Sequence, residues 1–366
     1  MRSCISPGGQ TLFETSAPAD EILVATEDGI VFLTCSAAGD TWQESGRSLA
    51  GERVSSIVIE PGSGILVAGT HEHGVFVSED DGRTWAQRNR GLDIQTLYCM
   101  ASSNAGGRTR LYAGTEPARL YVSEDLGESW VELAGLREVP SAAQWNFNAI
   151  AYAHTKHISF DPHSPDTLYV SVEVGGAYRS QDAGRSWQQL EGMDPDVHRM
   201  VSPRGKPDRV YLSCRDGIWG SQDRGDHWEH LTDSSARVGY PDVMVVHPDE
   251  PELVIIAGAY ALPRAWRQTG DCDSAIVRSC DGGQTWAQVQ NGLPSHISAN
   301  IEAMTLNVWP GGCAVTAASL DGDVFSSTDR GDRWTVIASG LPSIAKNGRV
   351  YARPAGMDVA RPGSVG

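Results

Sequence analysis

The chain of 366 residues has only six phenylalanines, and it carries 29 basic residues against 46 acidic ones. No apolar stretch approaches the length of a membrane-spanning helix. The formal net charge of −17 makes the average surface repel phosphate, which excludes nucleic acid and anionic membranes as expected partners. The start, Met1-Arg-Ser-Cys-Ile-Ser-Pro, lacks the apolar run of a secretory signal. Seven cysteines (4, 35, 99, 214, 272, 280 and 313) are odd in number and never spaced C-x-x-C. A disulfide scaffold is not indicated, and a reducing, cytoplasmic setting is expected. Cys272 and Cys280 are the one pair that a hairpin would bring together.

Against this scarcity stand eleven tryptophans and 40 glycines. The tryptophans fall into a repeat. Ser78-Glu-Asp80-Asp-Gly82-Arg-Thr84-Trp85 recurs with variations that end at Trp130, Trp187, Trp228, Trp286 and Trp334, and a decayed copy without its Ser and Asp ends at Trp42. These residue types make a turn: Asp accepts hydrogen bonds from loop N–H groups, Gly takes a positive φ, and Trp offers an apolar face to the next unit. Around each copy the chain reads as four short strands, in the second unit about 52–60 (A), 64–71 (B), 74–79 (C) and 84–89 (D). A Pro marks the A-to-B turn and a Gly-Leu pair the D-to-A link.

The motif resembles the Asp-box, or BNR repeat, of sialidases, xyloglucan-active glycosidases, sortilin-type receptors and a photosystem assembly factor. Over nearly its whole length the chain resembles bacterial seven-bladed repeat proteins of the WD40/YVTN/BNR-like group. The expected fold is all-β: a seven-bladed β-propeller of four-stranded antiparallel blades, residues 1–366 forming one domain where length alone suggests two. No convincing A strand precedes the first blade's B strand at Ile22–Thr26. The C-terminal segment Arg349–Arg353 is therefore expected to supply it and close the ring, with residues 10–15 as the rival.

Successive box tryptophans lie 43, 45, 57, 41, 58 and 48 residues apart. The two long steps place insertions at 136–153 and 261–273, in link types that open on the propeller face opposite the boxes. Aligned at the B-to-C turn, the blades present Glu27, His71, Glu116, Glu173, Arg215, Tyr260 and Leu320 in order. Aligned five residues before the turn Pro, strand A presents His157 and His198 on neighbouring blades. Imidazoles and carboxylates converging at one channel mouth suit a divalent ion, Zn, Mn or Fe, with His71, Glu116, His157, Glu173 and His198 as candidate ligands. His73, His154, Asp196 and Asp216 lie near. Glu116, Glu173, His198 and Arg215 are the candidate catalytic groups, Arg215 to orient an anionic substrate. Trp145, Tyr240, Tyr260, Arg264 and Trp266 are candidates to line the substrate site.

The function this supports is an intracellular hydrolase or lyase acting on a small organic molecule, with metal assistance. The alternatives are a non-catalytic scaffold that binds a protein or peptide on the same face, and a glycosidase using Glu116 with Glu173 as paired carboxylates. The resemblance to sialidases implies three arginines, one in an Arg-Ile-Pro motif near the N-terminus. This chain has only Pro203-Arg204 and Pro263-Arg264, in the reverse order.

Overall fold

The computed structural model describes residues 1–36, 41–104, 107–145, 152–232 and 236–344. Each complete repeat folds into the same hydrogen-bonded turn. The Ser180 hydroxyl donates to Asp182 Oδ1 at 2.8 Å and accepts from the Gly184 N–H at 2.8 Å. Asp182 also accepts from the Ser186 N–H at 2.9 Å and from the Ser186 hydroxyl at 2.6 Å. The set recurs around Asp80, Asp125 and Asp281. His227 Nδ1 replaces the hydroxyl against Asp223. Two consecutive residues take left-handed φ, as at Ala183 (60°) and Gly184 (89°). The first of them costs local strain, which the bonds to the carboxylate offset. Residues 37–40 of the decayed first copy lie outside the described residues.

Seven sheets follow one another along the chain, each running A-B-C-D outward. Their inner strands are Arg2–Ile5, Val54–Ile59, Leu97–Ser103, Thr155–Phe160, Val197–Val201, Tyr240–Val246 and Ile301–Trp309, and each touches its neighbours around the ring. The box Trp sits between its own blade and the preceding one: Trp130 packs with Val58, Val67 and Val77, and its Nε1 donates to the Arg88 carbonyl at 3.0 Å. The fold is therefore a seven-bladed β-propeller. All seven cysteines are free, so Cys272 and Cys280 do not pair.

Closure differs from the sequence-based expectation. The inner place of blade one is filled by β1 (Arg2–Ile5), which pairs parallel with Glu21–Val24, so the C-terminal segment does not take that place. Residues 349–353 lie outside the described residues. The rival segment contributes elsewhere: β2 (Leu12–Glu14) pairs parallel with Leu306–Val308 as a fifth strand of blade seven. Sequence reading missed β1 because a parallel closing strand has no hairpin turn to mark it.

Between β1 and β2 the chain crosses the channel. Gly8 N–H donates to the Ser55 carbonyl and the Gly8 carbonyl accepts from Met100 N–H, both at 2.9 Å. Arg199 Nη2 donates to the Pro7 carbonyl at 2.6 Å, and Leu306 N–H to the Thr11 carbonyl at 2.8 Å. Blades two, three, five and seven thus grip one buried segment. A Cβ on Gly8 would lie 2.0 Å from the Tyr98 carbonyl oxygen, whereas one on Gly46 would meet nothing within 4 Å.

Two outcomes follow for stability. Gly8→Ala lowers unfolding free energy by about 1–3 kcal/mol, and Gly46→Ala changes it little, as read from urea denaturation. The side-chain and backbone hydrogen bonds from Thr84 hold the Asp80 carboxyl at about 2, below the usual 3.8, and His227 and Thr285 do the same for Asp223 and Asp281. A folded-state value below the unfolded one stabilises above the unfolded pKa and is lost as pH falls through the folded one. The thermal midpoint is expected to hold from about pH 7 to 5 and to fall between about pH 4 and 2.

Candidate functional site

The inner strands of blades two to seven share a local irregularity that builds the upper end of the channel. Near the start of each, one residue has no ladder partner: Ser55, Tyr98, Lys156, His198, Asp242 and Glu302. Such a β-bulge sets two residues against one and re-aims a side chain. The B-to-C turn position holds the seven residues expected, each just after its B strand. Bulge and turn together surround a cavity of about 670 Å³. Tyr98, Lys156, Asp242 and Asn300 form its buried part, Glu173, Asp196, Tyr240 and Trp266 its wall, and Arg215, Arg264 and Arg267 an exposed rim.

The buried part is a charge network. Lys156 Nζ donates to Glu173 Oε2 at 2.5 Å and lies 3.5 Å from Asp242 Oδ1. Burial works against its charge, but the carboxylates of Asp242, Glu173 and Asp196 outweigh burial and push its pKa up. Glu173 is the mirror case: burial disfavours its anion, yet Lys156, His154 and His198 carry the carboxyl well below its usual range. His154 Nε2 meets the same Oε2 at 2.6 Å, its Nδ1 lies 3.6 Å from Glu116 Oε2, and its ring stacks on Tyr98 with centroids 3.5 Å apart. Asn300 Nδ2 donates to Asp242 Oδ2 at 3.0 Å and to Glu302 Oε1 at 2.8 Å. On the next blade His198 Nδ1 donates to the Pro241 carbonyl at 2.7 Å, while its Nε2 lies 3.1 Å from the Tyr240 hydroxyl and 3.5 Å from Asp196 Oδ1. The Tyr240 hydroxyl also donates to Asp196 Oδ2 at 3.2 Å.

Of the expected metal ligands, Glu173 and His198 come together, and their third partner is Asp196: one ligand atom from each lies within 4.8 Å of the others. His157 does not join them. It pairs across the ladder with Ser171 as Arg199 does with Ser213, so its counterpart is Arg199, and the counterpart of His198 is Lys156. His157 stands five residues before Pro162 but Arg199 four before Pro203, so alignment on the turn Pro slips by one, and a one-residue slip changes face. His157 is buried beside Arg199; burial first, then the Arg199 charge, push its pKa well below 6.5. Arg199 itself is lowered to about 10 by burial, against the opposing pull of Asp242, Cys99 and Glu302. His71 packs edge-on to Tyr98 instead of reaching the cluster.

The other candidates divide similarly. Glu116 and Glu173 hold opposite edges of His154 and do not face each other across open space. Arg215 lines the cavity and lies 3.8 Å from Asp194, with no ion pair to Glu173 among the described residues. Tyr240, Arg264 and Trp266 line the cavity; the last two ride on α1 (Pro263–Thr269), the insertion of blade six. Trp145 does not: its Nε1 donates to the Tyr178 hydroxyl at 2.8 Å, and it packs between blades three and four. Tyr260 points away, 57 % exposed, under the Arg237 guanidinium at 4.6 Å. His73 pairs with Glu52, and Asp216 holds Cys214 and Trp219. Lys156, Asp242 and Glu302 escaped sequence reading, because bulges interrupt the alternation that marks inward-facing positions, and Asn300 did so because it precedes its strand.

Comparison with known proteins places the fold in context. The family model described as sortilin, neurotensin receptor 3 (Sortilin-Vps10) matches residues 175–302. The chain is 26 % identical over 190 residues to vacuolar protein sorting/targeting protein 10 of Aspergillus terreus, covering 48 % of this chain and 13 % of that protein. It is 29 % identical over 156 residues to a xyloglucanase of a Paenibacillus species, covering 36 % and 14 %. The chain thus spans about one seventh of the length of these relatives. Among solved structures, the GH74 xyloglucanase of Xanthomonas campestris superposes with a TM-score of 0.66 at 19 % identity, over 92 % of this chain and 55 % of that one. YCF48 of Cyanidioschyzon merolae gives 0.56 at 15 % identity, over 86 % and 97 %. At these identities the likeness is one of β-propeller fold.

Lys156 is the buried cation shared by two carboxylates of the network. Lys156→Met leaves Glu173 and Asp242 without their buried cation and lowers stability by about 3–5 kcal/mol in urea denaturation.

Proposed function

We propose that the upper cavity is the active site of an enzyme that hydrolyses or eliminates from a small organic anion, assisted by a divalent ion, Zn, Mn or Fe, at Glu173, Asp196 and His198. The convergence of those three side chains carries the reading. Two features support it. The Pro241 carbonyl accepts from His198 Nδ1, which leaves Nε2 as the ring nitrogen on the side of the two carboxylates. The linked carboxylates Glu116, Glu173, Asp196, Asp242 and Glu302 outnumber the permanent cations Lys156 and Arg199 by three, a surplus that a divalent ion relieves.

The residues take roles from position. Lys156 and His154 both bond Glu173 Oε2, which leaves Oε1 as the ligand atom. Such an ion, when bound, supplies Lewis acidity and an activated water. Tyr240, between His198 and Asp196, holds a proton at its hydroxyl beside the cavity and is the general acid. Arg215, Arg264 and Arg267 orient the substrate's negative charge at the rim. The reading keeps the cytoplasmic setting expected from the cysteine pattern.

A second reading, a scaffold that binds a protein on the same face, has the exposure of Tyr152, Tyr260 and Leu262 in its favour. A glycosidase is favoured by the name of the Paenibacillus relative; it requires hydrolysis of aryl glycosides by metal-stripped protein. Metal analysis separates these readings. Untagged wild-type protein is expected to contain about one zinc, manganese or iron per chain, with little left in His198→Ala and Asp196→Asn. Metal-free wild-type protein that stays metal-free after dialysis against each ion removes the metal-assisted reading.

A further inference from the structure

The cavity is polarised. Its outer rim carries Arg215, Arg264 and Arg267, all exposed, and Arg264 makes no ion pair among the described residues. This cluster stands out on a chain of net charge −17. Its inner corner, on blades six and seven, is lined by Asp242 and Asn300, with Lys156 Nζ 3.5 Å from Asp242 Oδ1. Asp242 and Glu302 share the Asn300 amide group, whose Nδ2 donates to both. That arrangement fixes the amide orientation and leaves Oδ1 as a third acceptor. Asn300 is only 1 % exposed, lines the cavity, and its Oδ1 has no hydrogen-bond partner. A buried acceptor without a donor costs free energy, and here it lies beside two carboxylates.

We infer that the molecule taken by this cavity is an amino acid in the broad sense: a primary ammonium group enters the corner at Asn300 Oδ1 and Asp242, and a carboxylate meets the arginine rim. The ammonium has three donors in tetrahedral array and a full positive charge. A hydroxyl brings one donor and no charge, and a second carboxylate is repelled by the corner. The inference rests on the reading of this cavity as the binding site, but not on the ion being present.

The test is calorimetric titration of the wild-type protein with glycine, 4-aminobutyrate and 6-aminohexanoate, each beside the amine and the acid of matching length. One amino acid is expected to bind at least about tenfold more tightly than both of its one-ended counterparts, the discrimination expected when a buried polar group loses its partner. Arg264→Ala, on an exposed helix, should reduce its affinity to that of the plain amine. Asn300→Leu should reduce it to that of the plain acid, and circular dichroism checks that this variant folds. Equal affinity for the acid alone, or no binding by any of the series, overturns the inference. The titrations are repeated after chelator treatment. Binding that survives in metal-free protein leaves this inference standing while the metal assignment falls, and metal-loaded protein that binds none of the series does the reverse.

Discussion

The structure depends on one parallel pairing, that of Arg2–Ile5 with Glu21–Val24. A propeller blade buries its faces only when it has a neighbour on each side, so an open ring would leave the inner strands of blades two and seven partly uncovered. The first strand of the chain fills that gap, held from outside by the ion pairs of Arg2 with Glu21 and Asp81. The chain then crosses the channel before it reaches blade seven. One continuous segment therefore closes the ring and crosses the channel.

Around the upper cavity, charge replaces apolar packing. The inner strands bring Lys156, His198, Asp242 and Glu302 to equivalent bulges on successive blades, where an apolar set would pack more cheaply. Buried ionic groups are seldom retained for stability, since desolvation offsets most of their attraction. Their presence here, next to a cavity and with carboxylates in excess, fits a site that has a ligand to bind. The neighbouring ladder position shows the contrast: burial and Arg199 push the His157 pKa well below its usual value.

The sequence legibly encodes whatever repeats. Six boxes, their tryptophans and the turn residues Glu27 to Leu320 fall where counting places them, because each depends on local chemistry of fixed spacing. Features that break the repeat were hidden. The closing strand is parallel and lacks a turn signature. The pairing of His157 with His198 failed because the A-to-B turns of blades four and five differ by one residue. The bulges at Lys156, Asp242 and Glu302 leave no mark in hydrophobic alternation. Trp145 and Trp266 both lie in inserted loops, yet only Trp266 lines the cavity; Trp145 meets Tyr178, a contact that only the folded arrangement of blades three and four decides.

Glu173, Asp196 and His198 are the proposed cation site at the cavity wall. The most direct measurement is anomalous diffraction from crystals of untagged protein, with data collected at the zinc, manganese and iron edges. One strong peak is expected about 2.0–2.2 Å from His198 Nε2 and from an oxygen of each carboxylate. Crystals grown with those ions present that show no peak there, or a peak only at a surface carboxylate, would contradict it.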